Sequence, residues 1–584
     1  MKSNFNKFPI IQIKNLTCIT GWEDILKELN TNTPETIAIE CYPGVFINEV
    51  IAAVQEFLQP ELIINTIEVM KTENEISAMV QKYVTDDPVF GYISPLELEE
   101  YFDPSKITAL HQKLNEIHGC KVIIGPGATL VSENPSAILY ADMPRWEIQK
   151  RFRQNTACNL GRANYTDSFA YQYKHAYFVD WRVGDRYKKR ILNKCHFVVD
   201  TTIPRQPKMI TTAALSEALQ QTVHQPFRVV PFFDPGPWGG QWLKEVCDLD
   251  RSQPNFAWGF DCVPEENSLL LGFGEQVVEI PSLNLVFFQP EALLGKQVYE
   301  GFGDEFPIRF DFLDTMEGGN LSLQVHPLKE YIKEKFGMTY TQDESYYMLD
   351  VKEDSFVYLG LKENIDPECM MKDLTAAQNN SIPFDADQYV QKWPMQKHDH
   401  VSIPAGTVHC SGADSMVLEI SATPYIFTFK LWDWGRMGLD GKPRPISLEH
   451  GKNVIQWDRT ATWAKEHILN LTEPVNEGDG WREERTGLDS MSFIETRRHW
   501  FSKKVIHHTE GVVNVLNLVE GREVIIESPD HSFEPYIIHY AETFIVPAHV
   551  GAYTITPHGE SAGKECATIK AGIRTEMISH KVLK

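Results

Sequence analysis

The sequence is poor in the features that mark several functional classes. Only ten of its 584 residues are cysteine, and none form a C-x-x-C pair. That scatter argues against a thiolate zinc site or a disulfide framework and fits reduced, mostly buried thiols. Any bound metal must then use nitrogen and oxygen ligands. No run of about 18 apolar residues occurs, and the start, MKSNFNKFPIIQIKN, has no continuous apolar segment of the signal-peptide kind. A cytoplasmic protein with no membrane partner is expected. Basic side chains are scarce relative to acidic ones, 55 Lys and Arg against 80 Asp and Glu, for a formal charge of -25. A broad nucleic-acid surface needs the opposite excess, so the expected partner is a small molecule. Short-period repeats and low-complexity linkers are absent as well.

What is present is enough chain for several hydrophobic cores, at roughly 100 to 200 residues per domain. From about residue 36 to 155, strand-like runs (Thr36–Glu40, Lys121–Ile124, Ala137–Tyr140) alternate with helix-like stretches (Asn48–Leu58, Asp103–His118). That alternation predicts βαβ units. From about residue 226 the texture changes to short β-like runs punctuated by Gly, Pro, Asn and Asp: Ile308–Leu313, Leu321–Val325, Tyr346–Val351, His400–Ile403 and Met416–Ile420. The pattern is that of a sandwich or barrel. It returns in Val512–Val519, Glu523–Glu527, Tyr536–His539 and Thr543–Val546, predicting a second barrel. The expected fold class is multidomain, α/β plus mainly-β: an α/β domain over 1–225, a metal-binding β domain over 226–450 with a short helical insert near Glu363–Gln378, and a C-terminal β domain over 451–584.

In LSLQVHP, Gln324 and His326 are two apart, so a strand turns both to one face while Leu323 and Val325 take the other. In SIPAGTVHCSG, Pro404 and Gly406 turn the chain and His409 opens the next strand. Between them, in TQDESYYMLD, Glu344 precedes an aromatic-rich strand. Two His, one Glu and one amide oxygen suit one Zn²⁺ per chain, with Mn²⁺, Fe²⁺ or Co²⁺ as alternatives. His398 and His400 share same-face spacing and stand either as rival ligands or as surface histidines.

LSLQVHP, IPAGTVHCSGADSMVLEI and LWDWGR, in this order, resemble type I mannose-6-phosphate isomerase, a family of the cupin superfamily. The resemblance runs from PGPWGGQWLKE through FPIRFDFLD to the C-terminal β region. It implies a cupin-like jelly-roll barrel, zinc on Gln324, His326, Glu344 and His409, and interconversion of mannose 6-phosphate and fructose 6-phosphate through an enediol. Glu419 resembles an acidic pocket residue and is the candidate base, with Lys430 and Arg436 as further catalytic candidates. Ser322 occupies the place of a serine near the phosphate. Three positions depart from the family: Asp311 and Gln342 stand where lysines are expected, and Lys430 where an arginine is. Arg309, Lys430 and Arg436 are the remaining candidate cations, and strand alternation puts Arg309 and Asp311 on one face. The departures keep open an isomerase or epimerase for another, even unphosphorylated, sugar, and a metal-bearing sugar-phosphate sensor without turnover.

Thr36–Glu40 and the following CYPGVFIN resemble the strand, loop and helix start of a P-loop. KVIIGPGATLV and ILYADMPRWEIQKRFRQ resemble later parts of a uridine-kinase-like phosphotransferase. Ile47 and Asn48 stand where a working P-loop needs Lys and Ser or Thr, and Tyr42 and Pro43 remove its Gly-rich flexibility. A degenerate kinase-like domain, regulatory or structural, or else an unrelated α/β domain, is expected. The basic clusters Arg186–Arg190 and Arg151/Arg153 are expected to be solvated faces.

Overall fold

In a computed structural model of the chain, which describes residues 3–581 apart from 32, 133, 380–381, 423–425, 439–440 and 442–443, helices accompany six β-sheets, none of them closed among the described residues. The fold is mixed α/β. It divides into two compact units, one of Ile10–Gln221 with Glu265–Phe288, the other of Met1–Pro9, Thr222–Pro264 and Gln289–Lys584.

The first unit is built on a seven-stranded sheet ordered Ile19–Thr20, Lys208–Thr211, Phe197–Asp200, Ala137–Asp142, Thr36–Cys41, Lys121–Gly125, Leu62–Asn65. The last five run parallel. Their near-continuous apolar character follows from burial on both faces, which parallel strands with crossover helices require. The expected helix over Asn48–Leu58 is an α-helix, Ile47–Ala53, that loosens into a π-turn, Val54–Leu58. The other begins at Pro104, where Asp103 accepts from the Ser105 and Lys106 amides, and runs to Glu116. An antiparallel hairpin, Ser268–Phe273 with Gln276–Pro281, pairs with Ile10–Gln12.

Two basic residues expected on solvated faces are interior. Arg151 is only 1% exposed and donates to the carbonyls of Gly44, Thr201 and Thr202. Lys188, also 1% exposed, lies 2.7 Å from Asp142. Composition favours a surface for Lys and Arg, but here each charge is fully partnered, which is the condition for burying one.

In the second unit a six-stranded sheet is ordered His400–Ile403, Glu344–Val351, Ser415–Ser421, Arg309–Asp314, Trp258–Cys262, Phe232–Asp234. A five-stranded sheet is ordered Val390–Pro394, Phe356–Leu361, His409–Ser411, Leu323–Val325, Phe429–Trp432. Side chains of the two meet, so the sheets pack face to face. The expected insert is the helix Pro367–Gln378. The C-terminal region repeats the arrangement with sheets of six and four strands. Leu516, Leu518 and Phe544 from one sheet and Val524, Ile526 and Ile555 from the other form a common core, each side chain contributing about 1.5 to 3 kcal/mol by its burial. The expected barrels are thus pairs of open sheets. Residue alternation marks a buried face, whereas closure depends on strand tilt and stagger, which period does not report.

Candidate metal centre

Gln324 sits on the Leu323–Val325 strand with His409 as its cross-strand partner on one side and Lys430 on the other. His326 follows that strand directly, and Glu344 opens the Glu344–Val351 strand of the opposing sheet. All are buried except Lys430, which is partly so. His326, Glu344 and His409 place ligand atoms within 4.8 Å of one another. His326 Nε2 lies 3.0 Å from Glu344 Oε2, and His409 Nε2 lies 2.9 Å from Glu344 Oε1. Gln324 Nε2 is 3.2 Å from His409 Nε2. A half-turn of that amide offers Oε1 at the same point.

The histidine tautomers test whether a cation fits. His326 Nδ1 is 3.2 Å from the Phe427 carbonyl and His409 Nδ1 is 2.9 Å from that of Thr407. A carbonyl only accepts, so each Nδ1 carries a proton and each neutral ring turns its Nε2 lone pair to the Glu344 carboxylate. Two lone pairs facing one carboxylate repel unless positive charge lies among them. Without a metal, protons take that role. Burial pushes the Glu344 carboxyl up, but His326 and His409 outweigh it and hold it well below the usual range, while Glu344 raises His326 against its own burial. The donor set fits a divalent ion of borderline softness, with outer carbonyls fixing both rings as metal-binding histidines require.

The loop that delivers His409 is held by residues without any local sequence signal. Asp343 accepts from the Ala405 amide at 2.9 Å. Arg459 donates to the Pro404 and Ala405 carbonyls at 2.8 and 2.7 Å and to Thr407 Oγ1 at 2.6 Å. Gly406 has φ 92° and donates its amide to the His326 carbonyl. A Cβ there would lie 2.7 Å from Gln456, so the turn excludes any other residue.

Next to the centre the inward face of the six-stranded sheet carries two rows. Arg309, Ser421 and Glu344 form one, and Asp311, Glu419 and Tyr346 the other. Gln342 Nε2 bridges Glu344 Oε2 at 2.8 Å and Glu419 Oε1 at 3.3 Å. Burial pushes the Asp311 carboxyl to about 7, with Arg309 pulling against it. Burial, then Asp311 and Glu344, raise Glu419 well above the ordinary carboxyl range. Two of the three departures from the resembled pattern, Asp311 and Gln342, therefore converge on Glu419.

Ser322 and Arg436 meet elsewhere, on Asp433. Ser322 Oγ donates to Asp433 Oδ1 at 2.9 Å, and Arg436 reaches the same oxygen at 2.5 Å and the Asn320 carbonyl at 2.6 Å. Arg444, absent from the sequence reading, joins them, 2.7 Å from Asp433 Oδ2 and 3.2 Å from Ser322 Oγ. Burial and the neighbouring Arg444 push Lys430 down to about 8. Lys430, Arg436 and Arg444 thus surround a single carboxylate. Arg444 had no signal in sequence because its partners are 11 and 122 residues away with no motif between.

The rival histidines lie outside this cluster. His400 is buried rather than on the surface: its Nδ1 is 2.9 Å from Thr486 Oγ1, and burial pushes it down to about 3. His398 lies between the Tyr347 hydroxyl, at 2.9 Å, and Glu520, at 3.2 Å.

Comparison with known proteins gives three kinds of match. A family model described as a domain of unknown function, DUF8485, matches residues 21–224. The mannose-6-phosphate isomerase ManA of Bacillus subtilis is 27% identical over 154 residues, which is 26% of this chain and 45% of that protein. The chain thus spans under half the length of this relative. The mannose-6-phosphate isomerase of Streptococcus mutans is 27% identical over 316 residues, 53% of this chain and 88% of that one. Among solved structures, a mannose 6-phosphate isomerase from Bacillus subtilis covers 60% of this chain and 99% of its own, with 17% identity and a TM-score of 0.48.

Proposed function

We propose that this chain is a metal-dependent aldose–ketose isomerase, acting on mannose 6-phosphate and fructose 6-phosphate in the cytoplasm, with zinc on Gln324, His326, Glu344 and His409. In this reading the two facing sheets are a cupin-like jelly roll and the first unit is a degenerate kinase-like domain. The observation that carries it is the pair of buried histidines, each fixed through Nδ1, that converge on Glu344. The named activity of the two curated relatives supports it.

The reaction moves a proton between C2 and C1 of the sugar and needs a group that can take it and return it. Glu419, whose carboxyl burial and Asp311 make more basic than an ordinary carboxylate, takes that proton in its ionised form and returns it from the carboxyl so formed. Gln342 donates to Glu419 Oε1 and fixes the group's orientation. Gln324, His326, Glu344 and His409 would hold a divalent ion, which would supply positive charge beside the reacting sugar oxygens. Lys430, Arg436 and Arg444, with Ser322, give an anion the charge-assisted donors that a phosphate requires.

A second reading, an unphosphorylated sugar, draws on Asp311, a carboxyl suited to hydroxyls where the family pattern has a cation. The test is a substrate panel on the purified chain with Zn²⁺, following mannose 6-phosphate, fructose 6-phosphate, free mannose and free fructose. Turnover of the phosphorylated pair, lost in His409→Ala together with bound zinc, is the expected result. Turnover of free sugars alone would replace the substrate. Tight binding without any turnover would make the chain a sensor and end the isomerase reading.

A further inference from the structure

The first unit holds a cavity of about 720 Å³. Its lining includes residues that follow three neighbouring parallel strands: Phe46 after Thr36–Cys41, Thr66 after Leu62–Asn65, and Pro126 after Lys121–Gly125. The cavity therefore opens at the carboxyl edge of the sheet. From Thr36–Cys41 the chain goes out to Leu62–Asn65 and back to Lys121–Gly125, then crosses to Ala137–Asp142 on the other side. A crevice at the carboxyl ends, where the order of parallel strands reverses, is where open sheets of this kind take small ligands. The volume falls inside the range of roughly 300 to 1,000 Å³ found for such sites.

Both walls are held in place from behind. On one side, Asn159 Nδ2 donates to Asp180 Oδ2 at 2.7 Å and to the Gln172 carbonyl at 3.0 Å. Gln172 in turn donates to the carbonyls of Ala157 and Asn164. All of this is buried, so the loop is preformed. On the other side Arg151 lies 3.8 Å from the centre of the Phe46 ring and donates to the Gly44 carbonyl. Gly44 has φ 104°, and a Cβ would stand 2.8 Å from Ile148. The lining also exposes apolar surface, Ile67 at 49% and Tyr165 at 47%, of the kind a ligand covers.

Charge selects the ligand. Glu49, Arg162 and Arg205 are the charged residues of the lining. Glu49 Oε1 is committed to the wall, accepting from Trp22 Nε1 at 3.1 Å and from the Arg205 amide at 2.9 Å. Arg162 is steered by the Tyr171 hydroxyl at 3.0 Å and lies 3.7 Å from the half-exposed Glu73 carboxylate, whereas the Arg205 guanidinium has no ion-pair partner among the described residues. With Glu49 occupied and Glu73 shared with Arg162, Arg205 leaves the lining with uncompensated positive charge, which favours an anion, and arginine matches phosphate geometry.

We propose that this cavity binds a phosphorylated small metabolite with a flat apolar body, its phosphoryl group contacting Arg162 and Arg205 and its body covering Ile67 and Tyr165. The site binds and does not transfer phosphoryl groups, because Ile47 and Asn48 open the helix where Lys and Ser or Thr would be needed. It is independent of the isomerase reading.

The experiment is calorimetric titration of the full chain with AMP, ribose 5-phosphate and inorganic phosphate. AMP is expected to bind more tightly than the other two. Arg205→Gln, at an exposed position that leaves the core intact, and Arg162→Gln should each weaken it by about tenfold, the value of one charge-assisted contact. Ala52→Trp, which places a ring in the cavity from an exposed helix position, should abolish binding. Absence of AMP binding, affinity equal to that of inorganic phosphate, or affinity unchanged in these variants would each overturn the proposal.

Discussion

Asp311 and Glu419 are direct cross-strand partners on the inward face of one sheet, two buried carboxyls side by side, Asp311 pushed up by burial and by Glu344, and Glu419 by burial, Asp311 and Glu344. Both bind a proton more tightly folded than unfolded. In metal-free protein their contribution to stability is therefore complete below about pH 4, the unfolded carboxylate range, and is lost as pH rises through about 7. Asp311→Asn should flatten that dependence and raise stability at pH 8, read by urea denaturation at pH 5 and pH 8. It should also lower the Glu419 carboxyl and move the acid limb of kcat/KM, where the base is lost to protonation, to lower pH. An unshifted limb would separate Asp311 from the chemistry.

Gln342 is the link between Glu344, a proposed ligand, and the carboxyl Glu419. Gln342→Leu should weaken metal affinity by about 10- to 100-fold, the usual effect of losing an outer partner of a ligand. Competition against a chromophoric chelator measures it. Glu419→Gln keeps the hydrogen bond and the metal and should cut kcat on the order of 10² to 10⁴-fold, as loss of an acid–base group does. Equal zinc content in that variant and in the parent chain is the control.

Arg444 stands with Ser322 and Asp433 in the cationic corner. Arg444→Gln should raise KM for mannose 6-phosphate about tenfold or more with kcat nearly unchanged, because a phosphate contact is equally strong in ground and transition states. Steady-state kinetics decide it. A fall in kcat at constant KM would move Arg444 from holding the anion to shaping the reacting end.

Among the C-terminal sheets, His499 and His507 meet edge to face with ring centres 4.4 Å apart, and His507 stacks on the Tyr553 ring at 5.1 Å. Burial lowers both, His507 well below the ordinary histidine range, and each ring is unfavourable to charge. Their contribution to stability is present above about pH 6.5 and lost as pH falls through it, since the unfolded chain takes up the protons. His507→Phe keeps the stacking on Tyr553 and should reduce the loss between pH 7 and pH 5, leaving the share of His499. Glu483, held down to about 2 by His499 and Arg497 against its own burial, acts only at lower pH, so the two effects separate in a denaturation series.

The parts of the molecule legible in sequence are those whose signal is local. Gln324, on a strand, and His326, directly after it, are two residues apart, and the turn before His409 needs Pro404 and Gly406 at fixed spacing. The parallel strands show because burial on both faces leaves them continuously apolar. Asp343, Arg459 and Arg444 reach their partners only through tertiary folding, and no period announces them. The Thr472–Gly478 strand was unreadable for another reason: every residue of TEPVNEG is exposed, so it has no apolar face to alternate. Arg151 and Lys188 misled because residue type predicts surface and only their buried partners reverse it.

The ligand set draws on both facing sheets, and Gln324 and His409 lie 85 residues apart in the chain while sharing one cross-strand pair. An ion held there is a cross-link between distant segments, closing a loop that costs the unfolded chain most to close. No short stretch of nascent chain can present these donors together. Metal uptake must therefore follow the meeting of the two sheets, and apparent metal affinity doubles as a gauge of how completely that sandwich has assembled.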